Sequence, residues 1–596
     1  MMKTKLTLLG VAALITVACD HESGNPTTDD AETSGHLLIT ELPPELIEGT
    51  PRPIHIPGAS PGQVSPARTS SPGTDGVMYV PRAAVRPKPA KVGAPASARQ
   101  PLVTPRPDDP GLHYPAVGSA VDHERYDLLV DNRWQTPEQA PLSTFSVDVD
   151  TASYANVRRM ILDGSPVRRD AVRLEELVNY FDYAYPQPAD GHPFAVHVRN
   201  AACPWNPGHQ LVRVALKGRE VNRMERAPAN LVFLLDVSGS MQDSRKLPLV
   251  VESLNLLLEE LDESDTLAIV VYASAQGVAL PPTHCDSEGR QVVSNALRNL
   301  NAGGSTNGGA GIKLAYQLAR EQFKPGGINR VILATDGDFN VGVTSQQELV
   351  DLVATHAKSK VDLTVMSVGT GNLNDSMLEA ITNHGNGTHH YIDSLAEARR
   401  VFLDKMMGTL VTIARDVKIQ VEFNPARVRS YRLLGYANRM LHKEDFNNDR
   451  VDAGEIGSGH TVTAFYEIET TGPGGDARVD PLRYAGPVPT GIPGNPEWLT
   501  VKLRYKQPDS DRSTLVEHPY IGVPRSLAEA DADFRFATSV AMTAMALRGS
   551  GELGTRGYWD AEAIAQEALG SDPDGRRAEF VQLLEMLSAR SAYVGQ

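Results

Sequence analysis

The chain has 596 residues, of which 41% are hydrophobic, and a formal net charge of −16. This length exceeds what one hydrophobic core can organise, so we expect two or three folded units. The acidic balance argues against nucleic acid as a partner, because phosphate binding requires a basic surface.

The first residues have the features of an export signal. Two lysines precede an apolar run from Leu6 to Ala18, which is too short for a membrane-spanning helix. We therefore predict a signal peptide over residues 1–18. The cysteine that follows, Cys19, resembles the lipidated cysteine of a bacterial lipobox. The resemblance implies a lipid anchor at Cys19 and a place in the cell envelope, on the periplasmic face or the cell surface. Plain secretion with an incidental cysteine is the alternative.

Residues 19–123 have the composition of a disordered, Pro-rich tether. They are rich in Pro, Gly, Ser, Thr and Ala, and residues 41–115 contain 17 of the 42 prolines of the chain. Such a stretch buries too little apolar surface to form a core. A tether of this kind would hold a folded body away from a membrane, and a dispensable linker is equally compatible.

Order is predicted from residue 124, and residues 124–227 form an N-terminal α+β region. Alternating apolar residues from Phe145 indicate a half-buried strand. Asp148 and Asp150 follow it and resemble the start of the haloacid dehalogenase nucleophile motif, in which such aspartates act on phosphate. In the competing, structural interpretation, Asp150 or Thr151 caps the helix that comes next.

Residues 228–407 alternate strands and helices regularly. The predicted strands are buried apolar runs, at Leu231–Asp236, Thr266–Tyr272, Arg330–Thr335, Asp362–Val368 and Thr388–Ile392. The predicted helices are Leu247–Leu261, Ala310–Phe323, Gln346–Lys358 and Ser394–Met407. This alternation predicts an α/β unit with a doubly wound, Rossmann-like, mainly parallel sheet. Ligands of such folds bind at the carboxyl ends of the strands.

Hard oxygen donors collect at that edge of the predicted sheet. They come from a D-x-S-x-S turn after the first strand, from a Gly-rich loop and from the end of the third strand, and they are Asp236, Ser238, Ser240, Thr306 and Asp336. Two carboxylates and three hydroxyls suit an octahedral Mg²⁺ or Mn²⁺ ion. Zinc would favour His or Cys ligands. Capping of the following helices is the structural alternative.

The order of these motifs resembles the von Willebrand factor type A (VWA) domain and its metal-ion-dependent adhesion site. By this resemblance, Ser238 and Ser240 would bind the ion directly, and Thr306 directly or through water. The aspartates Asp236 and Asp336 would bind it mainly through water. The incomplete coordination sphere would then accept a Glu or Asp carboxylate from a protein partner.

Beyond residue 407 the pattern changes to alternating strands followed by helices. Strands over residues 411–423, 460–469 and 498–506, with helices from about Ser526, predict a β-rich domain with terminal helices over residues 408–596. Together with the region that starts at residue 124, this ending resembles the flanks of one bacterial lipoprotein family that carries a VWA domain.

Two smaller features leave alternatives open. Residues 445–456 resemble a calcium-binding loop, but Arg450 replaces the required glycine, and an acidic turn is the other interpretation. Cys203 and Cys285 permit at most one internal disulfide.

No Walker A loop, HExxH motif or G-x-S-x-G nucleophile elbow occurs in the sequence, and we therefore predict a non-enzymatic protein. The main hypothesis is an envelope-anchored module that binds a protein partner through Mg²⁺. The alternatives are a Mg²⁺-dependent phosphohydrolase using Asp148 and Asp150, and a structural envelope protein whose metal site is inactive.

Overall fold

The computed structural model describes residues 123–594, apart from residues 148, 190, 305–307, 338–345, 452 and 472–494. Cys19, Asp148, Thr306, the signal peptide and the tether up to residue 122 lie outside the described residues.

The described residues of the N-terminal flank include three strands and two α-helices. They are β1 (Leu142–Ser146), α1 (Ala152–Leu162), α2 (Leu174–Asn179), β2 (Phe194–Ala202) and β3 (Gln210–Gly218). Strands and helices thus mix in this flank, as the sequence predicts.

The central unit alternates strands and helices. Its elements are β4 (Ala229–Asp236), α3 (Leu247–Glu259), β5 (Thr266–Tyr272), β6 (Gln276–His284), α4 (Ser287–Arg298), α5 (Gly308–Glu321), β7 (Ile328–Thr335), α6 (Gln346–Ala357), β8 (Asp362–Val368), α7 (Asp375–His384), β9 (His389–Ile392), α8 (Leu395–Arg399) and α9 (Met406–Leu410). The five predicted strands are all present.

The six central strands form one sheet in the order β6-β5-β4-β7-β8-β9. Neighbours are parallel except β6, which pairs with β5 in the antiparallel sense. The chain moves from β4 to β5 on one side and returns to β7 on the other. The carboxyl ends of β4 and β7 therefore meet where the strand order switches, which is where such sheets bind ligands.

The edge strand β6 and the helices α4 and α7 were missed by the sequence analysis. Strand β6 contains Pro281 and Pro282, which lack the N–H that a central strand needs but fit an edge strand. The doubly wound sheet of the prediction is confirmed, with one antiparallel edge added.

The C-terminal flank has strands followed by helices, as predicted. They are β10 (Thr412–Phe423), β11 (Val428–Leu434), β12 (Ile456–Gly457), β13 (Thr461–Thr470), β14 (Leu499–Lys506), β15 (Ser513–Tyr520), α10 (Ala532–Arg548), α11 (Tyr558–Glu567) and α12 (Arg576–Val594).

The two flanks share their sheets. One sheet has the order β1-β10-β14-β15, with β12 on β10, and the other has the order β11-β13-β3-β2. Each sheet therefore takes strands from both sides of the central unit. Apolar side chains of both sheets, including Phe145, Val214, Val421 and Tyr466, belong to one buried core. The central unit is inserted into a body built jointly by the flanks.

The flank helices also share a core. Side chains of α1 and α2, such as Tyr154 and Leu177, cluster with Phe536 and Phe580 of the C-terminal helices. No helix in the described parts of the chain combines the length and apolar character needed to cross a membrane.

Candidate metal centre

The candidate centre begins where β4 ends, at the middle of the central sheet. Asp236 is the last residue of a strand that is buried along its whole length, and it is itself fully buried. Its Oδ1 accepts a hydrogen bond from the Ser238 backbone N–H (2.9 Å), and its Oδ2 accepts one from Thr335 Oγ1 (3.4 Å). Both donors are neutral groups.

Two hydroxyl groups follow this carboxyl group. The Oγ atoms of Ser238 and Ser240 lie 3.1 Å apart, and Ser238 is almost fully buried. The sequence prediction that these oxygens converge is thus matched by the structure for both serines.

The Gly-rich loop that carries Thr306 approaches the same turn. The Gly239 N–H donates to the Gly304 carbonyl (3.0 Å), and the Gly303 N–H donates to the Val237 carbonyl (2.7 Å). The loop therefore runs beside the D-x-S-x-S turn immediately before Thr306, which lies outside the described residues.

Asp336 reaches the centre from the end of β7 and is also buried. Its Oδ2 accepts a hydrogen bond from Lys246 Nζ at 2.8 Å. The next residue, Gly337, has a φ of +91°, and a Cβ there would lie 2.7 Å from the backbone nitrogen of Asn374. Only glycine allows this close packing of the two loops.

The electrostatics of the centre favour a cation. Burial raises the pKa of Asp236, and the neighbouring Asp336 carboxylate adds to the rise, so that the pKa reaches about 6 although hydrogen bonds from Ser238 lower it. A buried carboxyl group with neutral donors is costly to ionise unless a cation binds beside it. Carboxylates with serine hydroxyls are the hard donors that Mg²⁺ or Mn²⁺ prefers. The residues present therefore fit such an ion.

The described residues contain no group of three or more His, Cys, Asp or Glu side chains that could hold a metal. Zinc sites are normally built from such groups. The hydroxyl-containing set around Asp236 thus remains the candidate metal centre in this part of the chain.

Lys246 was not singled out by the sequence analysis. It lies immediately before α3, where a lysine is ordinarily exposed to solvent, but here it is 7% exposed. Its aliphatic stem packs over Gly369, where a Cβ would lie only 2.3 Å from Lys246 Cε. The signal in the sequence was weak, because Gly369 follows Lys246 by more than a hundred residues.

Asp150, the second aspartate of the phosphohydrolase hypothesis, makes hydrogen bonds that connect separate parts of the fold. Asp150 Oδ1 accepts a hydrogen bond from the His389 backbone N–H (2.8 Å), and Oδ2 accepts one from Arg439 Nη2 (3.1 Å). These bonds link the N-terminal flank to the central sheet and the C-terminal flank. Asp148 lies outside the described residues.

The predicted capping of α1 by the Thr151 side chain is wrong. Thr151 occupies the cap position without a side-chain capping bond, and its Oγ1 accepts a hydrogen bond from Arg400 Nη2 (2.6 Å). The Ser153 N–H at the start of the helix donates instead to Glu176 Oε2 (2.8 Å). A carboxylate from α2 satisfies the positive end of α1.

A buried ion cluster, which we call the first joint, connects the flank to the central unit. Arg173 donates to Asp375 Oδ1 (3.1 Å) and to Glu176, and it lies 3.4 Å from Glu379. Burial alone would raise the pKa of Asp375, but Arg173 outweighs it, and the pKa is lowered.

A second joint lies at α8. Arg158 of α1 donates to Asp393 (2.6 Å) and Glu397 (3.0 Å), and Arg400 also donates to Glu397 (2.8 Å). Burial would raise the pKa of Glu397, but Arg400 and Arg158 together lower it to about 2. The Arg158 guanidinium also contacts Glu579 of α12 at 3.2 Å, so this joint ties the two flanks and the central unit together.

The calcium-like loop directs its oxygens to basic side chains. The carbonyl oxygens of Asp445 and Asn448 accept hydrogen bonds from Lys418 Nζ (3.2 and 2.6 Å), and Asn447 Oδ1 accepts one from Arg504 (2.9 Å). Of the side-chain oxygens that a calcium ion would need, Asn447 Oδ1 is thus bonded to an arginine, and Asp449 Oδ1 accepts a hydrogen bond from Ser513 Oγ (2.6 Å).

The two remaining cysteines are not paired. Cys203 lies in the core of the flank helices and Cys285 in a core of the central unit, and both are free and buried. The disulfide that the sequence permits is therefore absent between them.

Three family models match the chain in consecutive order. The model described as von Willebrand factor matches residues 120–213, the von Willebrand factor type A domain matches residues 230–405, and the model described as uncharacterized protein YfbK, C-terminal, matches residues 408–589. The boundaries of these matches follow the division into two flanks and a central unit.

Similar proteins come from bacteria and from animals. The uncharacterized protein YfbK of Escherichia coli K12 is 42% identical over 470 residues, which cover 78% of this chain and 80% of that protein. The human inter-alpha-trypsin inhibitor heavy chain H3 is 30% identical over 196 residues, which are 31% of this chain and 22% of that protein. A solved structure, the von Willebrand factor type A protein from Catenulispora acidiphila, covers 65% of this chain and 89% of its own, with 17% identity and a TM-score of 0.39.

Proposed function

Since the chain belongs to the family of the uncharacterized protein YfbK and carries its VWA domain, a protein-interaction and adhesion module, we propose that it binds a protein partner through a divalent metal ion. The observation that carries this proposal is the convergence of Asp236, Ser238, Ser240 and Asp336 at the switch point of the central sheet.

The proposed ion is Mg²⁺ or Mn²⁺. The hydroxyls of Ser238 and Ser240 would hold it, with Asp236 and Asp336 beside them and Thr306 from the adjacent loop. When bound, such an ion supplies a Lewis-acidic position that a carboxylate can complete. The buried aspartates would orient the serine hydroxyls and balance the charge, and a Glu or Asp side chain of the partner would complete the coordination.

Calorimetric titration of the purified protein with Mg²⁺ and Mn²⁺ tests this proposal. We expect saturable binding by the wild type and at least a hundredfold weaker binding by Asp236→Ala, because a hard cation loses one of its two buried carboxylates. Asp243→Ala is the matched control, since this aspartate is half-exposed in the same loop and should leave the affinity unchanged.

The outcome also separates this function from a structural role. If the wild type binds neither ion while its thermal unfolding is cooperative, the metal-dependent function is wrong and an inactive site is favoured. If the wild type binds the ion, we expect the immobilised protein to retain an envelope protein in Mg²⁺ but not in EDTA. The Asp236→Ala variant should retain none in either buffer.

We further propose that the protein is anchored in the bacterial envelope by lipidation of Cys19, which lies outside the described residues. Support comes from the sequence alone, in the apolar run of residues 6–18 directly before this cysteine. Labelling of cells with radioactive palmitate should mark the wild type, and an equal label on Cys19→Ser would refute the anchor.

A further inference from the structure

One of the two buried carboxylates of the proposed metal centre contacts a lysine. Lys246 Nζ contacts Asp336 Oδ2 at 2.8 Å, while Asp236 accepts hydrogen bonds from a backbone N–H and a hydroxyl. The lysine side chain is 9% exposed and the Asp336 side chain is fully buried. The contact is therefore shielded from the solvent and salt that weaken surface ion pairs.

The fold builds a place for this ammonium. Lys246 stands at the start of α3, and its stem crosses the loop after β8 at Gly369. Gly369 has a φ of +75°, and any Cβ there would collide with Cγ, Cδ and Cε of Lys246, at 2.3–2.9 Å. The stem of Lys246 therefore lies directly against the Gly369 backbone, and its ammonium contacts Asp336.

From this geometry we propose that Lys246 is a resident cation that sets the metal affinity of the centre. The inference rests on the proposed function. Because the ammonium already neutralises Asp336, a divalent ion gains less from this carboxylate and is also repelled by the lysine charge. Lys246 therefore weakens metal binding while it stabilises the metal-free centre, which keeps binding reversible and sensitive to the carboxylate of a partner.

The test is Lys246→Met, which retains most of the stem and removes the charge. We expect Mg²⁺ to bind about tenfold more tightly than to the wild type, and the metal-free variant to unfold at a lower temperature because Asp336 is left without its cation. Arg245→Met is the matched control: it removes the neighbouring positive charge, which is half-exposed and 3.7 Å from its nearest carboxylates, and it should change the affinity less than twofold.

A trivalent ion distinguishes a charge effect from a change of shape. Repulsion by one ammonium scales with the charge of the ion, so the gain for Tb³⁺ should exceed that for Mg²⁺, at about thirtyfold against tenfold. A residue that only shapes the site would change both affinities by a similar factor. Lys246→Gln serves for the same measurements if the methionine variant does not fold.

The results separate this inference from the proposed function. Equal or weaker Mg²⁺ binding by Lys246→Met, with normal binding by the wild type, overturns the role of Lys246 alone. An absence of binding in the wild type and in both Lys246 variants overturns the metal centre as well. Binding that appears only when Lys246 is replaced overturns both the proposed function and the tuning role, because the lysine then excludes the ion from the wild type altogether.

Discussion

The candidate metal centre and the first joint place buried aspartates at the same edge of the central sheet, yet in opposite electrostatic settings. Asp236 follows β4 and receives neutral donors, and burial together with Asp336 raises its pKa to about 6. Asp375 follows the loop after β8 and receives the Arg173 guanidinium, and its pKa is lowered despite burial. An acidic residue at a strand end therefore does not by itself mark a metal site. What distinguishes Asp375 from Asp236 is that an arginine already occupies the position of the cation beside it.

The largest effect is expected from Arg173→Met, which takes the cation from the first joint. The carboxylates of Asp375 and Glu176 would stay buried without the guanidinium, and removal of one member of a buried ion pair typically costs about 3–5 kcal/mol. Urea unfolding of the metal-free protein should show this loss, while Mg²⁺ affinity should stay close to that of the wild type.

Arg556→Met provides the surface comparison for this measurement. Its ion pair with Asp560 is half-exposed, and such pairs contribute about 0.5 kcal/mol or less. If both arginine variants lost a similar free energy of unfolding, the first joint would not be an electrostatic connection. The contrast with the metal centre would then be wrong.

A smaller effect is expected in the pH dependence of stability, where the two kinds of site should differ in sign. In the second joint, the folded-state pKa of Glu397 is about 2, below its ordinary value. Its contribution is therefore present above about pH 4.5 and is lost as the pH falls toward 2. Unfolding of Glu397→Gln across this range should show a weaker loss of stability on acidification than the wild type.

Asp236 should act in the opposite direction in protein kept free of metal by a chelator. Its folded-state pKa of about 6 lies above the ordinary value, so the folded protein binds the proton more tightly, and stability falls as the pH rises from about 4 to 6. Asp236→Asn should remove this fall and be more stable than the metal-free wild type at pH 7. A variant that is less stable than the wild type would show that Asp236 is stabilised by a cation, as Asp375 and Glu397 are in the two joints.

Much of the central unit was predictable because its strands and their polar ends are encoded in short, contiguous segments of the sequence. Each parallel strand is a continuous apolar run such as Leu231–Asp236, buried on both faces, and each strand end carries its own polar residues. The positions of Asp236, Ser238 and Asp336 followed from that pattern. Thr306, by contrast, stays a prediction, since it lies outside the described residues.

The features that escaped prediction depend on distant parts of the chain. Lys246 is buried because Gly369 leaves room for its stem. Strand β6 is hard to recognise in the sequence because prolines are tolerated only in an edge strand. The strands of both flanks were recognisable, but alternation does not reveal a partner: β3 pairs with β13, and the bond between His209 and Glu467 spans 258 residues.

The insertion of the central unit between two flanks that share their sheets has a consequence for the order of folding. Strands β2 and β3 cannot join β13 until the chain beyond residue 461 is available, whereas the central sheet is built from segments close in sequence. Contacts between distant segments form slowly because loop closure must come first. The central unit should therefore fold early and bring the two flanks together. The sheets that the flanks share would then form last, on a central unit that is already folded.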